Sequence, residues 1–141
     1  MSDTLTPFLL TPSEQGPYSW QPPEGEAVTA IGSQQARWRD CALVQSDDAV
    51  WRLGGEESWL AMLSGAGAER SIVLDDGRLF LCRRELASYE VCGPQGCGPY
   101  ARWTMQGEQW QGRPQVAATE MPGLQRLMLM SALAIATDAG R

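Results

Sequence analysis

The side chains of this chain with the widest chemical reach are arginines set beside tryptophans. Arg37, Arg39, Arg83 and Arg84 are its densest basic positions, and Trp38 stands between the first two. A guanidinium grips a carboxylate or phosphate through paired N–H donors, so this grouping suits an anionic headgroup. On a strand, neighbours alternate faces, which would put Arg37 and Arg39 on one side and Trp38 on the other. The six tryptophans, at positions 20, 38, 51, 59, 103 and 110, suit a ligand platform or an interfacial belt. The competing reading is packing, with tryptophans filling a barrel and its rim and arginines covering a solvated wall. Trp38 and Trp103 join the four arginines as candidate ligand-binding residues.

Acid–base chemistry finds less support. Histidine is absent, which removes the commonest general base, the usual partner of a serine or cysteine nucleophile, and the usual zinc-enzyme ligand. The acids Asp47-Asp48, Glu56-Glu57 and Asp75-Asp76 fall at expected turns, where turn chemistry accounts for them. Neither Gly54-Gly55 nor Gly65-Ala-Gly67 has the flanking strand and helix of a phosphate-cradling loop. Cys92 and Cys97 have four residues between them and with Cys41 and Cys82 could formally make a zinc site, but a second close pair is missing. The expectation is a non-catalytic protein with no catalytic residue, metal or cofactor, in which Cys41 and Cys82 act as small apolar strand residues and Cys92 and Cys97 flank a turn.

Charge and composition narrow the partners. The formal net charge of -6 argues against general nucleic-acid binding. All 11 basic residues are arginine. The first ten residues lack a basic, apolar leader, which points to the cytoplasm and to reduced cysteines. At 141 residues the chain can build one core without staples.

The elements that would position these residues follow from the pattern. Residues 1–25, with prolines at 7, 12, 17, 22 and 23, have a composition that resists regular structure and read as a lead-in arm. Phe8-Leu-Leu10, Tyr18 and Trp20 could anchor that arm on the domain. Residues 26–141 form the domain, with short apolar runs separated by Gly- or Asp-rich breaks, the all-β signature. The clearest hairpin is Ser71-Ile-Val-Leu-Asp-Asp-Gly-Arg-Leu-Phe-Leu-Cys82, turning at Asp75-Asp76-Gly77. Further strands are expected at 27–31, 37–44, 49–53, 88–92, 100–105 and 115–118, with a short one near Gln109 and Trp110. Residues 56–63 fit strand or short helix and lean to strand.

The stretch that constrains the whole is near the end. Leu127 to Ala136 carries one hydroxyl, at Ser131, and no charge, so a helix made from it must be surrounded on all sides. It is about half the roughly 20 residues that a membrane span needs. A helix is expected over about 120–137, starting near Thr119 or Glu120 with Pro122 in its first turn. A sheet curled into a barrel can enclose such a helix and lose its own edges. The fold class is therefore mainly β (α+β), an antiparallel barrel or strongly curved sheet around a C-terminal helix. A partly open sheet, with the helix finishing its burial in a dimer, is the competing arrangement.

Val73-Leu-Asp-Asp-Gly-Arg-Leu79, Tyr89-Glu-Val-Cys-Gly-Pro-Gln-Gly96 and the terminal Met121-Pro-Gly-Leu-Gln-Arg-Leu-Met-Leu-Met-Ser-Ala-Leu-Ala-Ile135 resemble the tubby C-terminal-like superfamily, which includes phospholipid scramblases, plant LURP-one-related proteins and bacterial members. The resemblance covers about residues 26–138 and implies an antiparallel barrel around a hydrophobic C-terminal helix. It implies association with lipid or a membrane surface, at a cytoplasmic site peripheral to the membrane. Residues 107–122 hold only Glu108 and Glu120 as acids, so a scramblase-like calcium segment is not carried over. Without lysine, the lysine- and arginine-lined phosphoinositide pocket of tubby proteins has no matching positions either. The alternative function is a protein-binding adaptor or accessory subunit acting through an oligomer.

Overall fold

The computed structural model describes residues 6–13, 16–33, 36–47, 49–55, 58–93, 99–115 and 122–138. The first six strands are β1 (Phe8–Ser13), β2 (Gly16–Gln21), β3 (Val28–Ile31), β4 (Arg37–Trp38), β5 (Cys41–Asp47) and β6 (Val50–Gly54). There follow β7 (Trp59–Ser64), β8 (Glu69–Leu74), β9 (Leu79–Arg84), β10 (Ser88–Cys92), β11 (Pro99–Gln106), β12 (Gln109–Pro114) and the helix α1 (Leu124–Ala136). All the strands join one sheet in the order β3-β2-β1-β12-β11-β10-β9-β8-β7-β6-β5-β4, antiparallel throughout.

That order makes a nearly closed barrel. The ladder between β1 and β12, with Phe8 opposite Gly112 and Leu10 opposite Trp110, joins strands from opposite ends of the chain. The remaining seam lies between the consecutive strands β3 and β4, which approach each other without a ladder. The side-chain alternation of each strand decides which face turns inward. In β8 the buried positions Arg70, Ile72 and Leu74 alternate with partly or fully exposed ones, and in β6 Trp51 and Leu53 do the same.

The helix fills the interior. Leu127, Met128, Leu129, Met130, Ser131, Ala132, Leu133, Ala134 and Ile135 are all buried within the one chain, so this stretch leaves no face for a second subunit to cover. The apolar run thus finds its shelter inside the sheet, as the absence of a polar stripe requires. No helix among the described residues is long and apolar enough to cross a membrane.

Several expectations change. Residues 8–13 and 16–21, read from composition as resisting structure, form β1 and β2, with Phe8, Leu10 and Trp20 in the core. Pro12 is accommodated because the β1–β2 ladder shifts register between Pro12 and Ser13, a position where a missing N–H does little harm. The single strand expected over 37–44 is broken by a tight turn, with Trp38 opposite Cys41 and Arg39 in the left-handed region at φ 56°. The helix starts later than 120: Gly123, at φ 83°, is its N-cap, and Pro122 precedes it. Of the strand expected at 115–118, Gln115 directly follows β12 and its N–H donates to Tyr100 O at 2.8 Å, while 116–118 lie outside the described residues. Residues 59–64 are strand, and the hairpin between β8 and β9 turns at Asp75–Gly77 with Ile72 opposite Phe80.

Candidate ligand site

The barrel has two ends, and the helix polarity distinguishes them. Its C-terminal end is closed by a polar clasp. Arg70, only 7% exposed, donates to Thr137 Oγ1 at 2.6 Å, Ala134 O at 3.4 Å and Gly65 O at 3.2 Å. A cation at the last carbonyls satisfies them and suits the negative end of the helix dipole. Burial pushes the Arg70 guanidinium below its ordinary value, opposed by the charges of Cys82, Asp138 and Tyr89. Beside it, the Asp138 carboxylate meets Arg84 Nη1 at 3.0 and 3.1 Å and accepts from Tyr89 Oη at 2.6 Å.

The other end, at the start of α1, holds a recess of about 990 Å³. Its lining includes Phe8, Trp38, Arg39, Leu60, Leu124 and Arg126. Phe8 and Trp38 are core side chains that show the recess only an edge, while Leu60 and Leu124 are half-buried against the same core. Arg39 lies over Trp38 with its guanidinium carbon 4.4 Å from the ring centroid, a cation–π contact. Its Nη2 donates to Gln125 Oε1 at 3.5 Å, and Gln125 Nε2 donates to Glu24 O at 3.2 Å. Gln125 therefore links the segment after β2 to the turn after β4, across the open seam. A smaller recess of about 430 Å³ on the seam side shares Trp38, Arg39 and Gln125 and adds Arg37.

The six residues expected from the sequence thus divide. Arg37, Trp38 and Arg39 gather at the mouth, although not as alternating faces of a strand, because the turn at Arg39 intervenes. Arg37 Nη2 donates to Asp40 O at 3.2 Å. Arg83 is on the outer wall, 2.7 Å from Glu69. Arg84 belongs to the clasp at the far end. Trp103 is fully buried, and its indole N–H donates to Ser131 Oγ at 2.9 Å.

Sequence reasoning missed Phe8, Leu60, Leu124, Gln125 and Arg126 as mouth residues. Four of them carry no chemical signal of their own, and Arg126 marked only the end of an apolar run. They meet because strand ends on the same rim converge on the first turn of α1.

The arrangement offers an apolar wall and a guanidinium at its lip, a setting for gripping and burying a ligand. Cys41 also borders the recess, while Cys82 and Cys92 are buried in strands, and burial raises both of their thiol pKa values, that of Cys82 to about 12. Cys97 lies outside the described residues. Among the described residues, no three cysteines or acids come together as metal ligands.

By fold the protein is a mainly β, twelve-stranded antiparallel near-barrel built around its C-terminal helix. Comparison with protein-family models, with curated proteins and with solved structures finds no match.

Proposed function

We propose that this chain is a non-catalytic, tubby-like or scramblase-related barrel that associates with lipid at a membrane surface from the cytoplasmic side, holding an anionic headgroup at the barrel mouth. The kinship rests on architecture, a nearly closed antiparallel barrel with an enclosed C-terminal helix. One observation carries the lipid reading. Arg39 is poised over Trp38 at the lip of the recess, and among the described residues no carboxylate is paired with it. Arg78, Arg83, Arg84, Arg102 and Arg126 each have an acid within ion-pair distance, so their charge is already answered.

Co-sedimentation with vesicles with and without anionic lipid tests the proposal. Binding is expected to require the anionic lipid and to drop at least fivefold on Arg39→Gln. Sedimentation that ignores both lipid charge and Arg39 would overturn it.

A further inference from the structure

We infer that the recess at the mouth takes up one amphipathic anion as a free molecule, an apolar body ended by a single carboxylate or phosphate. The inference rests on the reading of Trp38 and Arg39 as the headgroup contact and adds what lies behind that contact. At about 990 Å³ the recess reaches the upper end of the range for ligand pockets, about 300–1,000 Å³, far more than a headgroup occupies. Its apolar lining side chains, Phe8, Trp38, Leu60 and Leu124, are buried or half-buried, whereas Arg39 and the acids Glu24 and Asp40 are exposed. That polarity order matches a ligand whose apolar body enters first and whose charge stays at the opening.

The charges around the mouth also favour a single gripped anion over diffuse attraction. Glu24 and Asp40 border the recess together with Arg39 and Arg126, so an anion is held there by direct contact with a guanidinium and not by a broad positive field. Arg126 is committed to Asp75 at 2.8 Å, so of the two arginines lining the larger recess Arg39 is the one with no carboxylate partner among the described residues. Arg39 also holds a left-handed backbone, φ 56°, at a turn where glycine or asparagine would sit without strain. Gln125, bonded to both Arg39 and Glu24 O, sets where the guanidinium rests.

Calorimetric titration with decanoate, acetate and decyltrimethylammonium, each below micelle-forming concentration, tests this on the whole chain. Decanoate is expected to bind with one-to-one stoichiometry. Acetate should bind at least a hundredfold more weakly, since each buried methylene contributes about fourfold, and the cation should give no saturable heat. Arg39→Gln should weaken decanoate at least tenfold. Leu60→Trp, which changes the shape of the apolar lining, should alter decanoate affinity while leaving acetate unaffected, with thermal melts confirming that both variants fold. Acetate binding as tightly as decanoate, an unchanged affinity in Arg39→Gln, or no decanoate binding would each overturn the inference. Vesicle association without decanoate uptake would leave the surface reading standing and sink this one, whereas decanoate uptake without vesicle association would do the reverse.

Discussion

The indole N–H of Trp103 donates to Ser131 Oγ across 2.9 Å at the heart of the barrel, where neither residue has any exposed surface. The Ser131 hydroxyl in turn donates to Met128 O at 3.0 Å, so both polar groups are satisfied in an apolar interior. The one hydroxyl of the enclosed stretch therefore registers α1 against β11.

Ser131→Ala should cost about 1–3 kcal/mol, because it strands a buried indole donor as well as losing a bond. Urea unfolding measures it. In a cycle with Trp103→Phe, the two changes should couple by about 1 kcal/mol after the larger packing loss of the tryptophan is subtracted. Strict additivity would show that the bond contributes nothing.

Gly112 faces the same tryptophan. A Cβ there would lie 2.6 Å from Trp103 Cε2 and 2.8 Å from Met128 Cε, closer than real contacts allow. Gly112→Ala should destabilise by about 1–3 kcal/mol through overpacking. Gly55→Ala is the control, since nothing lies within 4 Å of its added carbon. Equal unfolding midpoints for the two variants would contradict the packing account.

Arg84 separates a structural role from a ligand role. The Asp138 side chain is 3% exposed and Arg84 29%, so removing the guanidinium takes from a buried carboxylate one of its cationic neighbours, Arg70 being another. Arg84→Gln should lower stability by about 1–3 kcal/mol, less than a fully buried pair because Arg84 is partly solvated. Amide exchange should quicken at the end of α1 while vesicle binding stays as in the parent. Loss of vesicle binding at unchanged stability would assign Arg84 to a ligand instead.

Cys82 predicts an alkaline weakness. Burial is the largest cause of its rise from 9.0 to about 12. Between those values the unfolded chain gives up a proton that the folded chain keeps, so stability is complete below about pH 9 and falls above it. The slope from this thiol is about 1.4 kcal/mol per pH unit. Cys82→Ala, although less stable at neutral pH, should lose less stability than the parent between pH 9 and 10.5, read by denaturant titration at each pH. Parallel pH curves would refute a protonated buried thiol.

Local pattern made much of this fold readable. The hairpin of β8 and β9 announces itself through Asp75-Asp76-Gly77, where Gly77 takes φ 90° between two alternating arms. The enclosed helix was equally legible, because a run with one hydroxyl and no charge has no face to give to water. Each of these features is decided by residues within a few positions of one another.

The strands before residue 25 and the mouth were not legible for the opposite reason. Composition counted the early prolines against regular structure, but β1 is held by β12, with Leu10 opposite Trp110, and a register shift at Pro12 absorbs the break. Arg39 enters the left-handed region although neither Gly nor Asn marks the turn, because the pairing of Trp38 with Cys41 leaves only two residues to reverse the chain. Arg84 and Trp103 shared a residue type with the mouth residues and were separated from them only by where the sheet closes. Side-chain chemistry and periodicity are properties of the chain itself. Which distant strand ends converge on the first turn of the helix is a property of closure, and only the folded barrel has it.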